Sequence, residues 1–244
     1  MAPFRKTYHS KVYRDFRAID PRQWHNIVRF FEQHEEDIKL LEFDEYFELL
    51  VAYTNALFEI GAYEKHILMV DAVIETAVGN NITFFQGEEL FNASLFRKAA
   101  SCFHTFRLNK AEYILKELLK IDPHHKDAKR FLKKCLRSQH PPFIRNARAI
   151  SVLLFFIAAV IICAELIWTR NFHPEWLNFF HSLRNVVFGS GILLLVGSTL
   201  WHYRNVSRKV ENLVQELKAR KQLLSIIQEN RRKKQQWTVG EVAQ

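Results

Sequence analysis

Apolar positions along this chain fall into three regimes. From about residue 20 to 138 they recur at helical spacing, interrupted at a few points. Asp20-Pro21 reads as a helix start, with Asp20 as N-cap and proline in the first turn, and WHNIVRFFEQHEEDIKL continues it. Further helices are expected over Phe43 to Ile60, stopped by Gly61, and over Ala62 to Val78, stopped by Gly79-Asn80-Asn81. Glu88 to Thr105 comes next, then Asn109 to Ile121, closed by Asp122-Pro123, and Lys126 to Leu136, which ends before Pro141-Pro142. Helices of this length joined by short turns pack as antiparallel neighbours.

The second regime is nearly continuous. Ala149 to Trp168 reads AISVLLFFIAAVIICAELIW, with Glu165 as its single charge. At about 1.5 Å per residue, 20 residues reach about 30 Å, the thickness of a bilayer core. A soluble helix apolar on every face would need a large surrounding protein, which a chain of 244 residues does not offer. Val186 to Tyr203 is a second expected span, shorter and containing Gly189, Gly191 and Gly197. The link at 169–185 is expected to hold a short interfacial helix on the non-cytoplasmic side. Trp168, Trp176 and Trp201 are the expected interfacial anchors. Glu165 and Arg184 would then lie at the same membrane face, either paired in the membrane or each snorkelling into water.

In the third regime, from 204 to 237, apolar residues fall at Val206, Val210, Leu213, Leu217, Leu224 and Ile227, with Arg220 in the missing place. That is a heptad seam of about three repeats. It fits a coiled coil, with a second copy or folded back on the N-terminal part, and it also fits an amphipathic helix lying on anionic lipid.

Charge changes the picture by its placement. The formal net charge is +9, but residues 32–90 carry fourteen Asp/Glu against Lys39 and Lys65. The basic excess is concentrated in residues 126–148, with eight Lys/Arg, and 204–234, with ten. Two basic clusters around an uncharged stretch place both termini in the cytoplasm by the positive-inside rule. The opening MAPFRKTYHSKVYRDF has no apolar core of signal-peptide length. Cys102, Cys135 and Cys163 are too scattered for a disulfide framework or a metal spacing. The acidic block is read either as a docking face for a basic partner or as an ordinary solvated surface.

Two segments carry a resemblance. AYTNALFEIGAYEKHILMVDAVIETA has Gly61 at a small position with Tyr63 after it, and SLFRKAASCFHTFRLNKAEYILKELLKIDP has Ala99 and Ala111 at small positions and a closing Asp122-Pro123. Both resemble tetratricopeptide (TPR) repeats. The resemblance implies stacked helix pairs whose concave face binds a peptide or protein. It brings Asn55 and Arg97 near positions that grip ligands in that family, whereas Val51 stands where a matching lysine would complete a carboxylate clamp. The expected fold class is therefore all-α: TPR-like antiparallel helical repeats followed by a two-helix transmembrane hairpin and a C-terminal heptad, coiled-coil-like helix. The expected organisation is a basic lead at 1–19, a cytoplasmic helical domain at 20–138, a basic linker at 139–148, spans at 149–168 and 186–203, a cytoplasmic helix at 204–237 and a tail at 238–244.

No nucleophile–base arrangement, phosphate loop or HExxH motif occurs, so no enzyme, cofactor or metal site is expected. Both basic clusters abut the apolar stretch, so nucleic acid is not an expected partner. The expected function is a membrane-anchored interaction scaffold or adaptor. Its partners would be a protein at the helical repeats, the lipid bilayer, and a second copy at the C-terminal helix. The alternative is an oligomerising two-span effector or small channel subunit. Composition and topology suit a bacterial inner membrane.

Overall fold

Three helix ends share one geometry. In a computed structural model, Gly61 (φ 80°), Asn81 (φ 56°) and Phe106 (φ 58°) each adopt the left-handed conformation. In each case the next residue's N–H reaches back five residues: Ala62 to the Leu57 carbonyl, Ile82 to Ala77, and Arg107 to Cys102. This motif satisfies carbonyls that the helix end would leave bare. The structure describes residues 10–85, 87–139, 141–166 and 177–242.

Among the described residues the fold is all-α, at 85% helix. It divides into two compact units, residues 1–131 and 132–244. The first contains α1 (Lys11–Arg17), α2 (Trp24–Gln33), α3 (Glu35–Lys39), α4 (Phe43–Glu59), α5 (Tyr63–Gly79), α6 (Leu90–His104) and α7 (Leu108–Ile121). The helices α4 to α7 pack against their sequence neighbours in turn, and α1, α2 and α3 all pack on α4. Accordingly α4 is the most enclosed element. Its Leu49, Leu50, Ala56 and Leu57 are fully buried, each leucine contributing roughly 1.5–3 kcal/mol relative to exposure. Ala99 of α6 and Ala111 of α7 are also fully buried, which lets the two helices approach closely.

Several boundaries differ from expectation. The segment read as a basic lead contains α1, whose N-cap Ser10 accepts from the Tyr13 N–H and whose Tyr13 and Phe16 are buried in the core. Asp20-Pro21 does not start a helix. Asp20 instead forms a turn, its Oδ1 accepting from the Arg22 N–H and its carbonyl from the Gln23 N–H, so α2 begins at Trp24. A break at His34 separates α2 from α3. Between α5 and α6 a short antiparallel ladder pairs β1 (Phe84–Phe85) with β2 (Glu88–Glu89), turning through Gly87 at φ 84°.

The helix α8 (Lys126–Ser138) runs across the boundary between the units. The second unit holds α9 (Pro142–Ala164) and α10 (Leu177–Val242). The basic linker is thus largely helical, because Pro142 sits in the first turn of α9, where its missing N–H is harmless. No residue of α10 breaks it, so one helix of 66 residues joins the second apolar stretch to the basic heptad segment.

Contacts down their length pack α9 and α10 antiparallel. Phe143 meets Trp201 with ring centroids 5.6 Å apart, and Phe155 meets Phe188 at 5.4 Å. Close approach depends on Gly191: a Cβ there would lie 2.8 Å from Phe155 Cε1. Among the described residues, two helices are long and apolar enough to cross a membrane. The tail of α8 also lies antiparallel to α10, since Lys133 pairs with Glu211 at 2.8 Å and Arg137 bonds Ser207 at 3.2 Å.

Candidate functional site

The two residues singled out for protein binding meet in the first unit. Arg97 on α6 donates from Nη1 to Asn55 Oδ1 on α4 at 3.1 Å. Its Nη2 reaches Glu88 at 3.3 Å. Both side chains line a cavity of about 310 Å³. Apolar walls come from Phe16, Trp24, Ile27 and Ala52, and polar groups from Arg17, Glu48 and Glu59. The lining is mixed, with five charged or polar residues among its apolar walls, and its volume lies in the range of a small ligand cleft.

The polar rim is held in place locally. Glu48 accepts from the Tyr13 hydroxyl at 2.6 Å and from Arg17 at 2.9 Å. Burial, followed by that bond to Glu48, pushes the Tyr13 hydroxyl up to about 12, so it stays a donor. Arg97 is differently placed. Its contact with Glu88 is long, and Glu88 is 62% exposed, a kind of pair worth little in water. An incoming carboxylate or peptide carbonyl could take the Glu88 place while Asn55 keeps the guanidinium oriented.

Part of the acidic block is engaged in ion pairs. Glu32 pairs with Lys65, Glu48 with Arg17, Glu64 with Arg107, Asp71 with Lys98, and Glu35 and Glu36 with Lys39. The Lys65 ammonium, bonded to Glu32, holds that carboxyl below its usual range.

One polar pair lies deep in the same unit. His66 is fully buried, and its Nδ1 is 2.8 Å from Ser101 Oγ. Its Nε2 is buried with no hydrogen-bond partner. Burial, followed by the charge of Arg97, lowers the imidazole to about 4.

In the second unit, Glu165 and Arg184 approach at 3.3 Å, and His181 Nε2 lies 3.0 Å from the other Glu165 oxygen. Trp168 and Trp176 lie outside the described residues, while Trp201 is exposed beside Phe143. Of the heptad residues, Val206 and Val210 are buried, Leu213 and Leu217 half-buried, and Leu224 and Ile227 exposed. Among the described residues no cluster of three metal-ligating side chains occurs, and none of the three cysteines is in a disulfide.

Comparison with protein-family models, curated proteins and solved structures finds no match.

Sequence reasoning missed the walls of the cleft. Phe16 and Trp24 come from α1 and α2, far along the chain from Asn55 and Arg97. The available signal was the run Tyr13, Phe16, Ile19, whose three-residue spacing marks an apolar helix face inside the basic lead.

Proposed function

We propose that the chain is a membrane-anchored protein–protein interaction scaffold, an adaptor presenting a TPR-like helical domain in the cytoplasm. The observation that carries the reading is the outward surface of α9. Over its most apolar window the mean hydropathy is 2.5, and only 17% of that window is buried. Val152, Phe156 and Val160 are exposed on it. A soluble chain rarely leaves so long an apolar surface in water, whereas lipid solvates it. The same holds for the apolar half of α10, where Val186 and Leu193 are exposed. The basic flanks at 126–148 and 204–234 support a hairpin with both ends in the cytoplasm, as in a bacterial inner-membrane protein. Exposed Leu223, Leu224, Ile226 and Ile227 support a self-association role for the end of α10. The cleft at Asn55 and Arg97 is the partner site, and no catalytic step is assigned to it.

The test joins two measurements on the full chain. Alkaline carbonate extraction of membranes should leave the protein in the pellet. A photo-crosslinking residue at Ala52, inside the cleft, should capture one defined protein, and Trp24→Ala should abolish the capture. Release by carbonate sinks the anchor. Crosslinks only between copies of the chain, with purified protein permeabilising liposomes unaided, would establish the oligomerising effector or channel subunit in place of the adaptor.

A further inference from the structure

A second cavity lies wholly within the second unit, between α9 and α10. Its volume is about 560 Å³, and its walls include Phe143, Ala147 and Ile150 on α9 and Leu193, Gly197 and Trp201 on α10. That volume falls in the range of about 300–1,000 Å³ typical of small-molecule sites. The space beside Gly197 is open, since a Cβ added there would meet nothing within 4 Å.

The α10 wall changes chemistry at one end. Positions 193, 197 and 201 lie on one helix face, and the same spacing continues to Arg204 and Arg208. Leu193 to Trp201 spans about 12 Å, and Arg204 follows within about 5 Å of rise. Both arginines are exposed. Neither makes an ion pair or side-chain hydrogen bond among the described residues. Their neighbours on α8 are already engaged, Lys133 by Glu211 and Arg137 by Ser207 and the face of Tyr203. An apolar slot followed, about one turn beyond Trp201 on the same helix, by two exposed guanidiniums fits a ligand with a hydrocarbon body and an anionic head.

We propose that this groove is a binding site for an anionic phospholipid, with one acyl chain against Gly197 and Trp201 and the phosphate held by Arg204 and Arg208. The inference rests on the membrane reading above. It goes further in assigning selectivity for the headgroup. Each basic residue near the surface of an anionic membrane strengthens attraction, and guanidinium forks suit phosphate geometry.

The experiment uses the full chain reconstituted in vesicles of equal parts phosphatidylglycerol and phosphatidylcholine, then extracted in mild detergent. Co-purifying lipid is counted by native mass spectrometry. Phosphatidylglycerol should be retained roughly tenfold or more over phosphatidylcholine, as expected for two basic contacts. Arg204→Gln with Arg208→Gln should bring the ratio close to one. Arg145→Gln with Arg148→Gln removes equal charge outside the groove-lining positions of α9 and should leave the ratio intact. Gly197→Leu fills the groove and should lower retention of both lipids, with helical content by circular dichroism unchanged. Equal retention of the two lipids by the natural chain overturns the proposal. So does an equal loss from the Arg145/Arg148 pair, which would mean diffuse surface attraction. Carbonate release is scored separately and tests only the anchor.

Discussion

Acidification should loosen the interface between α5 and α6, and His66 sets the size of the effect. An imidazolium at this position has two needs that the site does not meet. It is fully buried, so its charge loses hydration. Its Nε2–H would also point where no acceptor exists among the described residues. Ser101 engages the other nitrogen, the tilted Phe58 ring lies 5.3 Å away, and the charges that act on it are Arg97, which opposes protonation, and Asp71, which favours it. The folded pKa of about 4 lies below an unfolded value of about 6.5. Between those values the unfolded chain binds more protons, so stability falls as pH drops from about 6.5 toward 4 and is flat below. The full difference is worth roughly 3 kcal/mol, and about 2 kcal/mol of it is lost between pH 7 and 5.

Hydrogen exchange read by mass spectrometry on peptides covering 63–79 and 90–104 measures this locally, on the full chain in detergent. After correction for the intrinsic pH dependence of exchange, the open population should rise roughly thirtyfold from pH 7 to 5. His66→Gln keeps a group that can bond Ser101 but cannot titrate. Its protection should be lower at pH 7 and nearly constant down to pH 5. If the natural chain and the variant respond to pH alike, or if acid tightens the natural chain, burial of a neutral His66 is not what holds these helices.

Two further outcomes follow from single positions. Phe106 is 89% exposed and left-handed at φ 58°, a conformation costing a side chain roughly 1–2 kcal/mol. Phe106→Gly should therefore raise the thermal midpoint of the helical domain, and a lower midpoint would show that the ring carries a contact outweighing the strain. At the far end of α9, Glu165→Arg or Arg184→Glu alone should reduce the yield of monodisperse protein from membranes, and the double exchange should restore it. Failure of the double exchange to rescue either single one would mean that the 3.3 Å contact does not stabilise the pair.

What the sequence announced depended on whether a signal was local. The ends of α4, α5 and α7 were legible because Gly61, Asn81 and Asp122-Pro123 act on their own backbone. The two apolar stretches were legible because composition alone defines them. The start of α9 was misplaced because Pro141-Pro142 reads equally as a stop and as a first turn; the structure uses it as the latter. The cleft at Asn55 was half legible. Its polar pair followed from the repeat resemblance, but its apolar walls come from three helices, and no local pattern encodes their convergence. The buried His66 was passed over because its isolation is a property of packing, not of neighbours in the chain.

The heptad on α10 shows how a period read from the sequence leaves the partner open. A coiled coil would bury Val206, Val210, Leu213 and Leu217 in alternating steps of four and three. The most buried positions are instead Val206, Val210 and Val214, in steps of four only. A row at intervals of four is the ridge that meets another helix at a crossing angle, not the seam that follows a partner for many turns. Between those valines Ser207 accepts from Arg137 and Glu211 pairs with Lys133, both on the tail of α8. The buried row ends at Val214, and Leu224 and Ile227 lie beyond it, exposed. The N-terminal half of the heptad is therefore partly covered within the chain. Only the half beyond Leu217 keeps an apolar face for another copy, and Arg220 interrupts the seam at its start. Any self-association through α10 has to rest on that shorter segment, which makes it weaker and more dependent on membrane confinement than three unbroken heptads would be.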